Sequence, residues 1–234
     1  MSVRTARTIG PTVPSAYLDD RIPGDSVYAI HLYPPETDNC RSWAATLGLG
    51  SAIFVSFGSM AELSSDQTAE LALGLVAAGS PFLWVVRSSE ADKLPSGFIA
   101  DAKSKGSLVV SWAPQLEILA SGKVGCFVTH CGWNSTMEAI ALGVPMVGIP
   151  QWTDQKTDAK YIEEVWRVGL WARKGGGGIV GRDEVERCVR EIMEGERHDE
   201  IRRRAAEWRE ASHRAMAAGG SSDRNILEFL QKLC

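Results

Sequence analysis

The chain has 234 residues, of which 44% are hydrophobic and 23% charged, and its formal net charge is −4. This composition is ordinary for a globular protein with a buried core, and the absence of a long basic stretch argues against nucleic-acid binding. The cysteines show no C-x-x-C spacing, which favours a reducing compartment over a disulfide framework; they are Cys40, Cys126, Cys131, Cys188 and Cys234. No apolar run is long enough to span a membrane and the N-terminus lacks a secretory signal pattern, so we expect a cytoplasmic protein.

The first fifty residues have poor periodicity. Prolines at positions 11, 14, 23, 34 and 35 interrupt any long helix. One short helix is predicted around Trp43. We expect residues 1–50 to be an irregular connecting segment that lies on another part of the protein.

From residue 51 the pattern alternates between apolar strands and helices. The predicted strands are residues 52–57, 82–86, 107–110, 125–129, 146–149 and 170–172. The helices between them are residues 65–78, with Ser65 as N-cap and Gly79 beyond the end, 114–120, 135–142 and 153–165. Uniformly apolar strands separated by helices indicate a parallel sheet covered on both faces, which is a Rossmann-like, doubly wound α/β fold.

The C-terminal third is predicted to be helical, over residues 182–194, 200–217 and 222–232. The four glycines at 175–178 form a loop and no phosphate cradle, since no helix start follows them directly. We therefore divide the chain into a linker (1–50), a ligand-binding domain (51–217) and a C-terminal helix (218–234).

Ligands of such sheets bind beyond the carboxyl ends of the strands, so the residues after each strand are candidates for a site. His130 follows a strand and precedes a helix start, where it either donates to an anion or is a satisfied strand-end histidine. Ser135 and Glu138 fit the S-x-x-E capping box, and they also suit phosphate and ribose hydroxyls.

Further candidates follow other strands. Trp112 is either a core aromatic or a face that stacks on a flat base, with Gln115 able to bond the edge of the base. Asp154 and Gln155 either favour a helix start or offer a carboxylate and an amide to a sugar. Ser59 follows the first strand and could reach a second phosphate.

The whole block from Trp112 to Gln155 resembles the donor-binding signature of plant UDP-dependent glycosyltransferases, without insertion or deletion. It runs from Trp-Ala-Pro-Gln through His-Cys-Gly-Trp-Asn-Ser to Asp-Gln. The resemblance extends from about Thr8 to the C-terminus. It implies a two-domain GT-B fold with two Rossmann-like halves, of which this chain is similar to the C-terminal, donor-binding half.

The resemblance also implies a role for each matched residue. Trp112 stacks on uracil, while Ala113 and Gln115 contact the edges of base and ribose. The diphosphate is held by Ser59, His130, Asn134 and Ser135, with the backbone of Trp133. Glu138 accepts from the ribose hydroxyls, and the sugar contacts Trp152, Asp154 and Gln155. A final Gln in the block accompanies glucose more often than galactose.

Members of this family transfer the sugar with inversion and require no metal or other cofactor. Their catalytic base is a histidine in the N-terminal domain. None of the four histidines here, His31, His130, His198 and His213, matches it. We therefore expect no catalytic residue in this chain, a missing N-terminal domain that also provides most of the acceptor pocket, and a last helix that packs on that domain.

The sequence thus predicts a UDP-glucose-dependent transferase acting on a flavonoid, a phenolic or a hormone-like carboxylate. An alternative is a nucleotide-sugar-binding fragment without turnover, because the base is absent. A nicotinamide dehydrogenase would need G-x-G-x-x-G after the first strand, where Phe57-Gly58-Ser59-Met60 does not fit. A serine hydrolase would need a G-x-S-x-G elbow, which does not occur.

Overall fold

The computed structural model describes residues 6–27 and 32–232, so His31 and Cys234 lie outside the described residues. Its centre is a six-stranded, all-parallel sheet in the order β3-β2-β1-β4-β5-β6. The strands are β1 (Ala52–Ser56), β2 (Phe82–Val85), β3 (Leu108–Val110), β4 (Val124–Thr129), β5 (Met146–Gly148) and β6 (Gly169–Trp171). This topology confirms the predicted Rossmann-like fold.

The described helices cover the sheet and extend beyond it. They are α1 (Thr37–Ala45), α2 (Ser65–Ala78), α3 (Phe98–Ser104), α4 (Gln115–Ala120), α5 (Trp133–Leu142), α6 (Gln155–Lys160), α7 (Arg182–Glu194), α8 (His198–Met216) and α9 (Ser221–Gln231). Short 3-10 helices occupy Ser15–Tyr17 and Ser88–Lys93, and a π-helical turn, Tyr161–Val165, continues α6. None of the helices in the described ranges has the length and apolar character needed to cross a lipid bilayer.

Alternate residues of each central strand enter two separate hydrophobic layers. Ile53 and Val55 of β1 pack in the layer that contains α2 and α7, while Phe54 belongs to the opposite layer. There its ring stacks on Phe127 of β4 at a centroid distance of 5.1 Å. Both faces of the sheet are therefore buried, which explains why the strands are apolar at every position.

Several element boundaries differ from the prediction. The N-cap of α2 is Ser64, whose side chain accepts from the Gln67 N–H at 3.2 Å, so the assignment of Ser65 as the cap was wrong. Gly79 ends this helix with φ 79°, as predicted. The helix after β4 begins at Trp133 with Gly132 as N-cap, two residues before Ser135. Helix α3, which lies between β2 and β3, was not predicted.

The segment before β1 and helix α9 both lie against the rest of the domain, and they contact each other. Cys40 of α1 is fully buried in the core layer that includes α4. Ser222 of α9 donates to the Gly10 carbonyl at 2.8 Å and accepts from its N–H at 3.1 Å. Exposed apolar side chains line much of α9, namely Ile226, Leu227, Phe229 and Leu230. The proposed boundaries at residues 50 and 217 stay predictions.

Candidate functional site

The strand order reverses at the centre of the sheet. From β1 the chain passes to β2 and β3 on one side, and it then returns to β4 on the other. The last residues of β1 and β4, Ser56 and Thr129, lie side by side in the register. The two strands therefore diverge into a crevice at their carboxyl ends, the place where open parallel sheets bind ligands.

A cavity of about 330 Å³ opens at this crevice. The exits from β1 and β3 and the first half of α5 line it, and so does the segment before β1, through Tyr17, Ser26, Val27, Leu32 and Pro35. The predicted site residues that they contribute are Ser59, Trp112, Ala113, Gln115, Asn134, Ser135 and Glu138. Residues far apart in sequence are thus brought to one cavity by the parallel connections.

The side chains of Gln115 and Glu138 are joined within the cavity wall. The Gln115 amide donates to the Glu138 carboxylate at 2.7 Å and to the Ser135 hydroxyl at 3.1 Å. Glu138 is only 5% exposed. Since α5 begins at Trp133, Ser135 is the third residue of the helix and the capping-box alternative does not apply. The carboxylate is instead held at the cavity wall by a neutral donor.

Trp112 is fixed by a residue that the sequence did not single out. The Glu36 carboxylate accepts from the N–H and hydroxyl of Ser111 at 2.9 and 3.0 Å, and the Glu36 N–H donates to the Trp112 carbonyl at 3.0 Å. The Ser111 N–H is the main reason that the pKa of Glu36 is lowered. The Tyr33 ring lies 5.0 Å from the Trp112 ring. A lone glutamate in an irregular segment gives no pattern by which to find it.

The His130 ring lies between two glycines. A Cβ added at Gly58 would be 2.9 Å from its Nε2, and one at Gly132 only 2.4 Å. Gly58 also has φ 70°, which favours glycine. Burial lowers the pKa of His130 to about 4, so the imidazole is neutral at neutral pH. Its Nδ1 is buried without a hydrogen-bond partner among the described residues.

Several backbone N–H groups at this end of the sheet make no hydrogen bond to the described protein. Within the described ranges, those of Trp133, Asn134 and Ser135 at the start of α5 have no protein partner, and the same holds for Ser59 and Met60 after β1. Such groups at a helix start or in a tight turn favour an anion. Across residues 6–27 and 32–232, no group of three or more His, Cys, Asp or Glu side chains is placed to hold a metal ion.

The remaining predicted residues lie outside the cavity wall. The Gln155 side chain is buried, and its amide oxygen accepts from the N–H groups of Gln151 and Trp152 at 2.9 and 3.1 Å. Asp154 is exposed at the start of α6, and its charge acts on His130, so the two groups are neighbours. Trp152 is 46% exposed. This turn therefore lies near His130.

Trp133 points away from the cavity. Its side chain is 52% exposed and lines a second groove, of about 310 Å³, together with Trp166 and Trp208. Its backbone N–H, and not its indole, is therefore the group available at the start of α5.

The fold and the crevice define a nucleotide-binding α/β domain, with an aromatic face at one end of the cavity and unpaired N–H groups at the other. A family model described as "UDP-glucoronosyl and UDP-glucosyl transferase" matches residues 32–201. The chain belongs to this family.

Similar proteins include crocetin glucosyltransferase 2 of Crocus sativus, which is 53% identical over 97% of this chain and 49% of its own length. Rice (O. sativa) Os79, solved in complex with UDP, is 42% identical with a TM-score of 0.93, over 97% of this chain and 50% of its own. Phytolacca americana UGT2, complexed with UDP-2fluoro-glucose and pterostilbene, is 35% identical with a TM-score of 0.80, over 93% and 50%. The chain spans about half the length of these relatives.

Proposed function

We propose that the cavity binds a UDP-sugar, with UDP-glucose as the favoured donor, and that the whole protein transfers the glucosyl group with inversion to a small-molecule acceptor. One observation carries the proposal. The Trp112 ring, the buried Glu138 carboxylate and the unpaired N–H groups of α5 converge on a single crevice. These are the groups that a base, a ribose and a diphosphate require.

The proposed roles follow the position of each group. Trp112 stacks on uracil, Ala113 and Gln115 contact its edge and the ribose, and Glu138 accepts from the ribose hydroxyls. The diphosphate contacts Ser59, His130, Asn134, Ser135 and the Trp133 N–H. Trp152, Asp154 and Gln155 contact the sugar, and since the Gln155 oxygen is engaged by two backbone N–H groups, its amide nitrogen is the donor.

The transfer step places charge on the leaving diphosphate. The acceptor oxygen attacks the anomeric carbon from the face opposite UDP, the bond to UDP breaks with its electron pair, and the acceptor's proton passes to a base. The N–H groups at α5 and a hydrogen bond from His130 stabilise the departing charge. A histidine with a pKa of about 4 is a weak base at neutral pH, so His130 does not suit proton abstraction. We propose that the base lies outside this chain and that no metal takes part.

Two relatives indicate the class of acceptor. Os79 has been solved in complex with a trichothecene, and the Phytolacca protein in complex with pterostilbene. By analogy we propose a small plant metabolite with a hydroxyl or carboxyl group, such as a flavonoid, a phenolic or a hormone-like carboxylate. For the 234 residues alone, the low pKa of His130 favours the alternative, a chain that binds a nucleotide-sugar without turnover.

Calorimetric titration with UDP-glucose tests donor binding. Trp112→Ala and Glu138→Gln should each weaken binding about tenfold or more, since each removes a desolvated contact. Trp208→Ala and Glu210→Gln, which alter exposed residues of α8 away from the cavity, are the matched controls. Unchanged affinity in both site variants would reject the proposed donor site.

A second experiment addresses turnover. The 234-residue chain is incubated with UDP-glucose and a flavonol or phenolic acid, and glucoside formation is followed by chromatography. We expect little or no product from the chain alone. Clear turnover would mean that a residue within this chain acts as the base.

A further inference from the structure

The segment that follows β1 is held by two cationic side chains from the segment that follows β2. Arg87 donates through Nη1 to the Ser59 carbonyl and through Nη2 to the Ala61 carbonyl at 2.6 Å. Lys93 donates to the Leu63 carbonyl at 2.9 Å. Every second carbonyl from residue 59 to residue 63 therefore accepts from a cation. We call Arg87 and Lys93 the loop clamp.

Glu90 lies between the two cations of the loop clamp. Its carboxylate is 2.6 Å from Lys93 Nζ and 3.9 Å from Arg87 Nη2. The Arg87 and Glu90 side chains are only 13% and 15% exposed. A charge this buried is costly unless it is paired and hydrogen-bonded, and bonds from a cation to carbonyls are stronger than neutral ones. The loop clamp is thus a rigid support for the loop.

The supported loop is also the wall of the candidate phosphate site. Gly58 lies against the His130 ring, and Ser59 lines the cavity. The C=O and N–H of a trans peptide point in opposite directions, so a Ser59 carbonyl bonded to Arg87 directs the unpaired Met60 N–H away from the loop clamp. Arg87 thereby fixes both the loop path and the direction of a potential anion donor.

We infer that Arg87 is a positioning residue for the diphosphate of the donor, acting through the Ser59–Met60 peptide, with Lys93 in a lesser supporting role. This inference rests on the proposed function. It treats the two ends of the cavity as independent, because no hydrogen bond among the described residues joins Arg87 or Lys93 to Trp112 or Glu36. The loss of Arg87 should therefore affect phosphate recognition and spare recognition of the nucleoside.

The test compares UDP with uridine in calorimetric titrations of the 234-residue chain. Arg87→Met keeps the aliphatic stem and removes both bonds, so UDP should bind about tenfold more weakly while the affinity for uridine stays unchanged. Arg87→Lys keeps the charge with fewer donors, so its UDP affinity should lie between those of Arg87→Met and the unmodified chain. Arg190→Met, which removes a comparable bond to the Ala77 carbonyl far from the cavity, is the matched control and should alter neither affinity.

The outcomes are separable. An equal loss of affinity for UDP and uridine would mean that Arg87 supports the fold in general. No loss of affinity for either ligand would mean that Arg87 has no role in the site. Both results overturn the inference. Failure of the unmodified chain to bind uridine or UDP would instead defeat the proposed function itself. If Arg87→Met does not fold, Lys93→Met, which releases only the Leu63 carbonyl and the Glu90 pair, should still weaken UDP binding two- to threefold and leave uridine unaffected. An unchanged UDP affinity there would also overturn the inference.

Discussion

Asp158 is a buried carboxylate whose charge should reduce the stability of the fold at neutral pH. The residue lies in α6 and is 6% exposed, and its Oδ2 has no hydrogen-bond partner among the described residues. Burial, followed by the charge of Asp154 one helical turn earlier, raises the pKa of Asp158 to about 6 from an ordinary value of 3.8. Asp158→Asn removes this ionisation with almost no change in shape.

The sign of the effect follows from proton binding. Below pH 3.8 both the folded and the unfolded protein carry the proton on Asp158, so its ionisation imposes no penalty. Between pH 3.8 and 6 the folded state keeps a proton that the unfolded state has lost, so stability falls as the pH rises. A raised pKa of this size corresponds to roughly 3 kcal/mol, at about 1.36 kcal/mol per pKa unit. The penalty is complete above about pH 7 and absent near pH 3.5.

Urea unfolding at a series of pH values measures this difference. The advantage of Asp158→Asn over the unmodified chain should grow by about 3 kcal/mol from pH 3.5 to pH 7.5, whatever its value at the acidic end. Titrating groups that do not interact with Asp158 contribute equally to both proteins and cancel. Asp92→Asn, at an exposed aspartate, is the control and should show a difference independent of pH. A flat difference for Asp158→Asn as well would refute the reasoning.

Three further predictions concern the site and the helix caps. His130 is neutral in the folded state with a pKa of about 4, so its contribution to stability is present above pH 6.5 and is lost as the pH falls from 6.5 through 4. His130→Asn should remove roughly 3 kcal/mol of this acid sensitivity in the same assay. Gly132→Ala should weaken UDP binding at least about tenfold, because its Cβ would displace the His130 ring. Gly176→Ala, where the added Cβ meets open space, should leave the UDP affinity unchanged. Equal UDP affinities of the two variants in calorimetry would contradict this prediction. Ser64→Ala should lower the free energy of unfolding by about 1 kcal/mol, measured by thermal or urea unfolding, and Ser65→Ala should lower it distinctly less. The reverse order would restore Ser65 as the N-cap.

The sheet could be predicted because its signals are local. Each central strand is apolar at every position, and the helices that separate the strands have clear starts or stops, such as Gly79. Helix α3 was missed because it is short and only Phe98 and Ala102, one turn apart, are buried. The N-cap of α2 was misplaced by one residue because two adjacent serines satisfy the same rule, and only the Gln67 contact distinguishes them.

The site could be predicted in part. The predicted residues that line the cavity come from one continuous block plus Ser59, and the parallel topology brings them to one place. Their roles toward a ligand stay predictions. Glu36 and Arg87, which hold the β3 exit and the β1 exit, could not be found, because each acts through the backbone of a distant segment. The capping box failed for a related reason: the Cys131-Gly132 turn starts the helix early, and Gln115 then becomes the neighbour of Glu138.

The two ends of the cavity depend on different kinds of groups, and this should govern which substitutions each end tolerates. In the proposed donor site the recognising groups at the base and ribose end are side chains, Trp112 and Glu138, so conservative changes there should alter the ligand contacts directly. At the anion end they are mainly backbone N–H groups, which every residue type except proline provides. Replacing the exposed Asn134 side chain should therefore cost less affinity than adding a methyl group at Gly132, because only the methyl group moves the atoms that line the anion site.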